Sequence, residues 1–431
     1  METYRNNRVN KKGANKTEKT TDLEFGGILG TAVNIVALPC IVIIMNLMCN
    51  EQTCKFGQLP FIYNWWTYFF DWTAVSMFLF WMIFQSFLAI LPVGKLYLGV
   101  PLRDGSRLQY RCNGFLSLLI SIFGFVAAVH MGFPASIIYD KFFQMMIFAL
   151  IFSYISSILL YIRSWKVAPS KLAPNGNSGN MFYDFFMGHE LNPRIGSFDL
   201  KFFCEMRPGL IGWVIINLSF VVKSYFDHFG PSPALLLVTI FQGFYIVDAL
   251  WFEEAILTTI DITSDGFGFM LCFGDLVWVP FLYTLQGKYL MTQSHSLPWY
   301  VLTALTVINC IGYFIFRSSN SQKNTFRRDP KHQSVAHLQS IPTSSTNRRL
   351  LVSGWWGMCQ KPNYLGDIIM SLCWSLTCGF GSIIPYFYPI YLIILLIHRE
   401  RRDSAACEKK YGNSWKKYCS KVKYRIIPYI Y

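Results

Sequence analysis

Asp248, Glu253, Glu254, Asp261 and Asp265 place five carboxylates within 18 residues of an otherwise apolar stretch. A carboxylate beside hydrocarbon is costly, and where it persists it is usually paired or functional. Burial raises a carboxyl pKa, and a carboxyl that stays neutral at working pH can donate a proton. A solvated interfacial loop would carry the same residues and do no chemistry, and the segment by itself admits both readings. A second concentration runs from Lys323 to the C-terminus. There Lys323, Arg327, Arg399 and Arg402 are interspersed with Trp355, Trp356, Asn363, Tyr364, Tyr411 and Tyr418, and with Asp367 and Asp403. Arg and Lys clamp phosphates, and Tyr and Trp stack on flat heterocycles. No GxGxxG follows a strand, so a nucleotide here would need a helical site. On composition alone, a basic tail resting on anionic lipid headgroups is the simpler explanation.

The elements that must position these residues are membrane spans. The chain has 431 residues, of which 53% are hydrophobic, 17% aromatic and 14% charged. A soluble domain carries about 25% charged residues, so lipid must cover much of this surface. Crossing the hydrocarbon core takes about 20 apolar residues. Stretches of that kind lie at 27–49, 70–92, 114–134, 142–162, 209–226, 233–250, 268–286 and 297–316. The run 366–397 contains Pro385, is too long for one crossing and reads as a tight pair. The expected fold is therefore an all-α polytopic transmembrane bundle of about ten spans.

The net charge of +14 is concentrated between the spans. Basic clusters precede span 1 and follow spans 2, 4 and 8, and a further one begins at Arg399. Each follows an even number of crossings, so the positive-inside rule places both termini in the cytosol. Topology explains the clusters more simply than nucleic-acid contact does, and no nucleic-acid partner is expected. The first residues have no h-region pattern of a cleavable signal. No CxxC or Cys/His cluster indicates a metal. Cys49 and Cys54 fall in the first lumenal loop and can pair if that side is oxidising. The Asn15–Lys16–Thr17 sequon is expected to stay unmodified in a cytosolic head. Three regions follow: a basic head without sign of a folded domain (1–25), transmembrane spans (26–320), and a C-terminal part carrying the second concentration (321–431).

Longer motifs then resemble a known family. Leu350–Leu351–Val352–Ser353–Gly354–Trp355–Trp356–Gly357, Pro362–Asn363–Tyr364–Leu365–Gly366–Asp367, His398–Arg399–Glu400, Lys410–Tyr411–Gly412 and the ending Tyr424–Arg425–Ile426–Ile427–Pro428–Tyr429–Ile430–Tyr431 are similar to sterol reductases. That family comprises Δ14-, Δ7- and Δ24(28)-sterol reductases and the lamin B receptor. Gly188–His189–Glu190–Leu191–Asn192–Pro193–Arg194, Arg207–Pro208–Gly209 and Asp265–Gly266–Phe267–Gly268 resemble the Δ14 branch. The likeness covers nearly everything after about residue 60. It implies a ten-helix fold in the endoplasmic reticulum, with the inner nuclear membrane as a second residence. It also implies a sterol pocket in the transmembrane spans, NADPH as hydride source, and a sterol and membrane lipid as partners. The family's cofactor contacts fall on Lys323, Arg327, Leu351, Trp356, Asn363, Tyr364, Asp403, Cys407, Tyr411 and Tyr418, and Asp367 and Arg399 lie in the same motifs. The Lys/Arg pair suits a 2′-phosphate.

An isolated C14=C15 alkene is not polarised, so an acid must protonate C15 before hydride reaches C14. Tyr245, Glu253, Glu254, Asp261 and Asp403 are the candidates for that acid. The chain departs from the family where Gln360–Lys361 replaces the usual Arg–His, and where Phe252 stands in place of His. A lost arginine contact is worth about 1.5–3 kcal/mol, a tenfold to hundredfold loss of affinity, and Lys361 lacks bidentate geometry. Two further readings therefore stand beside the reductase. One is a catalytically impaired membrane scaffold like the lamin B receptor. The other is an isoprenylcysteine methyltransferase-like enzyme, whose paired glutamates are replaced here by Arg399–Glu400–Arg401–Arg402–Asp403.

Overall fold

A computed structural model describes residues 19–50, 53–228, 230–292, 297–343 and 349–431. Most of the basic head, with its sequon, lies outside the described residues. Among those described, seven helical segments are long and apolar enough to cross a bilayer. They are α1 (Gly27–Met48), α2 and α3 (Trp65–Phe69 and Trp72–Ile90, one span), α5 (Phe142–Ser164), α7 and α8 (Leu200–Met206 and Pro208–His228, one span), α9 (Pro233–Trp251), α10 (Phe269–Thr292) and α11 (Trp299–Arg328). Between these, α4 (Gly114–His130) is a shorter apolar helix and α6 (Met181–Met187) is a short polar-capped one. The run 366–397 divides as expected into α12 (Pro362–Leu376) and α13 (Phe387–Tyr411), with a 3-10 turn at Ile384–Tyr386 around Pro385. A final helix, α14 (Asn413–Lys421), follows. Each of the ten expected segments corresponds to a helix.

The outward faces show why lipid is required. Only 17% of the most apolar window of α1 is buried, and Leu29, Val33 and Val36 point outward at 55–76% exposure. Such faces are stable only against hydrocarbon. Cys49 and Cys54, five residues apart after α1, are disulfide-bonded. Asp71 caps α3, its carboxylate accepting from the backbone N–H groups of Thr73 and Ala74; an Asp at the N-cap satisfies donors that the helix leaves open.

Two compact units are present. The first comprises Met1–Asn50, Leu59–Phe229 and Gly243–Thr284, and the second Glu51–Gln58, Gly230–Gln242 and Leu285–Tyr431. The sequence boundary at residue 321 thus falls inside the second unit, because α11 packs along α12. Gly312 and Gly366 let their backbones meet there: a Cβ on Gly366 would lie 2.6 Å from the Gly312 carbonyl oxygen and the Phe316 nitrogen. α11 also continues twelve residues past its expected end, to Arg328.

In the first unit, α10 is broken by a π segment at Gly274–Trp278, next to Pro280. Proline removes a ladder donor and such bulges absorb the mismatch. Outside the spans, a glycine-rich knot joins two distant motifs. Gly188 has φ +87°, and a methyl group on it would overlap the backbone of Gly266–Gly268. The Phe267 N–H donates to the Glu190 carbonyl (3.0 Å) and the Asn175 amide to Asp265 Oδ1 (2.7 Å). The buried ammonium of Lys201 donates to the carbonyls of Asp261, Ile262 and Asp265 at 2.6–3.2 Å.

Candidate functional site

The second unit gathers most of the predicted cofactor residues. Lys323 and Arg327 are one turn apart at the end of α11. The Lys323 ammonium lies 3.8 Å over the Trp356 ring, and the Trp356 indole N–H donates to the Ser319 carbonyl at 2.9 Å, which fixes the ring. Leu351 packs with Phe326, Val335 and Trp356. On α13, Arg399, Asp403, Cys407 and Tyr411 recur every fourth residue and so share one face. Tyr411 and Tyr418 pack with Trp415 and Val422, and Cys407 borders that cluster. Burial pushes the Cys407 thiol up, against the pull of Lys361, Lys323 and Lys410. Arg327, Lys361, Asp403 and Cys407 all lie close enough to Lys323 to act on it electrostatically.

Lys361 is a member of this cluster that the cofactor assignment omitted. It forms an ion pair with Asp403 and lies 5.5 Å from the centre of the Tyr364 ring. Gln360, beside it, is buried: its amide donates to the Val422 carbonyl (2.9 Å) and its backbone N–H to the Tyr424 carbonyl (2.9 Å). The substituted pair therefore has two jobs, one tying down the C-terminal segment and one supplying a cation. A signal was available in the sequence, since Lys361 stands two residues before Asn363 at the start of α12. Asn363 carries a buried side-chain oxygen with no hydrogen-bond partner among the described residues. Asp367 and Arg399 are half-buried in the same unit, and Tyr364 packs with Ile368, Leu396 and Ile426. Basic side chains at Lys323, Arg327 and Lys361, with Asp403 among them and bordered by Trp and Tyr rings, can hold an anionic ligand with flat rings.

In the first unit the five carboxylates do not form one cluster. Glu253 is 2% exposed and ion-paired with Arg207, itself 1% exposed. Its second oxygen accepts the Gly114 N–H at 2.7 Å, and Arg207 also donates to Asn113 Oδ1 at 2.8 Å. Burial raises the Glu253 pKa, with Arg207 and the Gly114 N–H pulling it back. Asp265 is fully buried within the glycine knot and Asp248 is 6% exposed. Glu254, Asp261 and Tyr245 are partly buried.

Comparison with known proteins places this arrangement. The model of the ergosterol biosynthesis ERG4/ERG24 family matches residues 5–431. The chain belongs to that family. It is 51% identical over 416 residues to the "Delta(14)-sterol reductase LBR" of Gallus gallus, covering 95% of this chain and 64% of that relative's length. It is 47% identical to the "Delta(14)-sterol reductase TM7SF2" of Mus musculus, over 95% of this chain and 98% of the relative. Against the "Delta(14)-sterol reductase erg24" of Schizosaccharomyces pombe the identity is 44%, over 97% of this chain and all of the relative. In this member of the ERG4/ERG24 family, the quoted motifs divide by role. Those of the glycine knot and the Arg207–Glu253 pair lie in the first unit, and those after residue 320 lie in the second.

Proposed function

We propose that this protein reduces the C14=C15 double bond of a sterol with NADPH, as a step of sterol biosynthesis in the endoplasmic reticulum membrane. The observation that supports the cofactor is the gathering of the basic side chains of Lys323, Arg327 and Lys361 near Asp403, in the same unit as Asn363, whose buried side-chain oxygen has no hydrogen-bond partner among the described residues. Lys323, Arg327 and Lys361 would hold the phosphates, and the 2′-phosphate is the reason for NADPH over NADH. Asn363 would accept a cofactor N–H or O–H. Trp356, Tyr411 and Tyr418 would border its rings, and Asp403 would limit the excess of positive charge. When bound, NADPH supplies the hydride that ends at C14.

The protein's own part is to deliver a proton to C15 first. Glu253 and Asp403 are each ion-paired with a cation, Arg207 and Lys361 respectively. Tyr245, Glu253, Glu254, Asp261 and Asp403 are the candidates for that donor. An apolar surrounding keeps water from the tertiary cation at C14. The names of the relatives at 44–51% identity support the Δ14 position.

The test is direct. The purified protein is titrated with NADPH, and a yeast lacking sterol C14 reduction is complemented and its sterols profiled. Binding below millimolar cofactor and disappearance of Δ8,14 sterols are expected. Well-expressed protein that binds no NADPH and leaves Δ8,14 sterols in place would replace the enzyme with a membrane scaffold.

A further inference from the structure

The motif Tyr424–Arg425–Ile426–Ile427–Pro428–Tyr429–Ile430–Tyr431 closes into a loop in the second unit. Pro428 fixes its own φ, and Tyr429 takes φ +67°, so the chain doubles back within a few residues. Tyr431 then meets the start of the segment. Its main-chain oxygen accepts from three consecutive N–H groups, those of Arg425, Ile426 and Ile427, at 2.8, 2.9 and 3.1 Å. Its own N–H donates to the Ile427 carbonyl at 3.0 Å. Successive N–H groups aimed at one oxygen form a nest, an arrangement that suits negative charge. A bulky residue such as Tyr429 keeps a left-handed φ only where its surroundings over-determine it.

Two sets of contacts tie this loop to the cationic site. Its side chains grip α13. Arg425 Nη1 donates to Glu400 Oε2 (3.0 Å) and the Tyr431 hydroxyl to the same oxygen (3.4 Å). Glu400 is 0% exposed, and a buried carboxylate stripped of its cation is strongly destabilising, which keeps Arg425 in place. The Arg425 guanidinium also lies 5.8 Å from the centre of the Tyr431 ring, and Tyr431 borders the cluster of Tyr364, Ile368, Leu396 and Ile426. The main chain of the loop holds the residues before α12. The N–H groups of Gln360 and Lys361 donate to the carbonyls of Tyr424 (2.9 Å) and Arg425 (2.8 Å). From there the Lys361 side chain returns to α13, to Asp403, three residues beyond Glu400 and on the same face. The circuit is closed: α13 sets the loop, the loop sets the Lys361 backbone, and that backbone brings the ammonium to Asp403, within electrostatic reach of Lys323.

We propose that Tyr431 and Arg425 are positioning residues: by closing the 424–431 loop onto Glu400, they hold Lys361 in the cationic cluster that takes the cofactor phosphates. The proposal deepens the NADPH reading above and rests on it for the ligand. The test compares, in lipid nanodiscs, the full chain, a form truncated after Ile430, and Arg425→Gln, which keeps every main-chain group of the loop. Without cofactor, hydrogen exchange mapped by mass spectrometry should be about tenfold faster at the Gln360 and Lys361 amides in both variants than in the wild type, because an opened loop no longer shields them. NADPH affinity should also fall about tenfold in each, the worth of one charged contact. In a Lys361→Gln background the same two changes should cost less than about twofold, because residues acting through one another are not additive. A loss of equal size with and without Lys361, the mark of a merely structural role, overturns the proposal, and so does unchanged exchange at 360–361. If the truncated form does not fold, the cycle of Arg425→Gln with Lys361→Gln decides alone. The two readings fail separately. A wild type whose exchange responds as expected but which binds no NADPH loses the cofactor and keeps the hold of the loop on Lys361. A wild type that binds NADPH, with an affinity moved by neither variant, loses the positioning role and keeps the cofactor.

Discussion

Asn363 and His189 show how a single side chain's partners decide its role. The Asn363 oxygen bonds nothing among the described residues, so Asn363→Ala should leave the thermal midpoint unchanged. NADPH affinity should fall about tenfold to hundredfold, the value of one hydrogen bond to a charged or buried partner, measured by fluorescence titration. His189 is the opposite case. Its Nδ1 lies 2.8 Å from Ser164 Oγ and its Nε2 3.3 Å from Asn177 Oδ1, and burial lowers its pKa from 6.5. The unfolded chain therefore takes up the proton more readily than the folded one. Stability is complete above pH 6.5 and declines as pH falls through and below it, by at most about 1.4 kcal/mol per pH unit. In His189→Gln that part of the slope should vanish, read as thermal midpoints between pH 5 and 7.5. Reading the sequence identified Asn363 through its motif, and no spacing rule could show that its oxygen lacks a partner. Lys361 was legible only as a departure, because its value comes from Asp403, 42 residues away on another helix.

At the scale of elements, the glycine knot carries the sharpest expectation. Gly188→Ala adds both a strained φ and an overlap with the Gly266–Gly268 backbone, so it should cost more than about 3 kcal/mol. Gly57→Ala is the control, with φ +81° but open space around it, and should cost about 1 kcal/mol. Equal thermal shifts for the two variants would mean that packing in the knot contributes nothing beyond backbone strain. The acidic segment teaches the same lesson. Five carboxylates close in sequence looked like one feature, yet Glu253 turns to Arg207, Asp265 to Asn175, and Asp261 presents its carbonyl to Lys201. The short helical and 3-10 turns at 253–263 separate them in direction.

For the whole molecule, orientation is the property to test. Basic clusters after even-numbered crossings predict cytosolic termini, and the Cys49–Cys54 bond fits a loop on the oxidising side. An N-glycosylation acceptor introduced near Phe56 should therefore be modified, and one introduced near Lys331 should not, as read by an endoglycosidase-sensitive gel shift. The reverse pattern would invert the topology and move Lys323 and Arg327 away from cytosolic NADPH.

The sequence by itself determined that this chain is a multispan helical membrane protein, where its spans lie, and which family it resembles. Those properties depend on apolar length, proline position and contiguous motifs, all of which are local along the chain. Tertiary structure alone decided that Glu253 is held by Arg207, that Lys361 joins Lys323 beside Asp403, and that Gln85 of α3 donates to Ser121 of α4. Each of these depends on which distant side chain comes within 3–4 Å after the helices pack, and no periodicity along the chain encodes that distance.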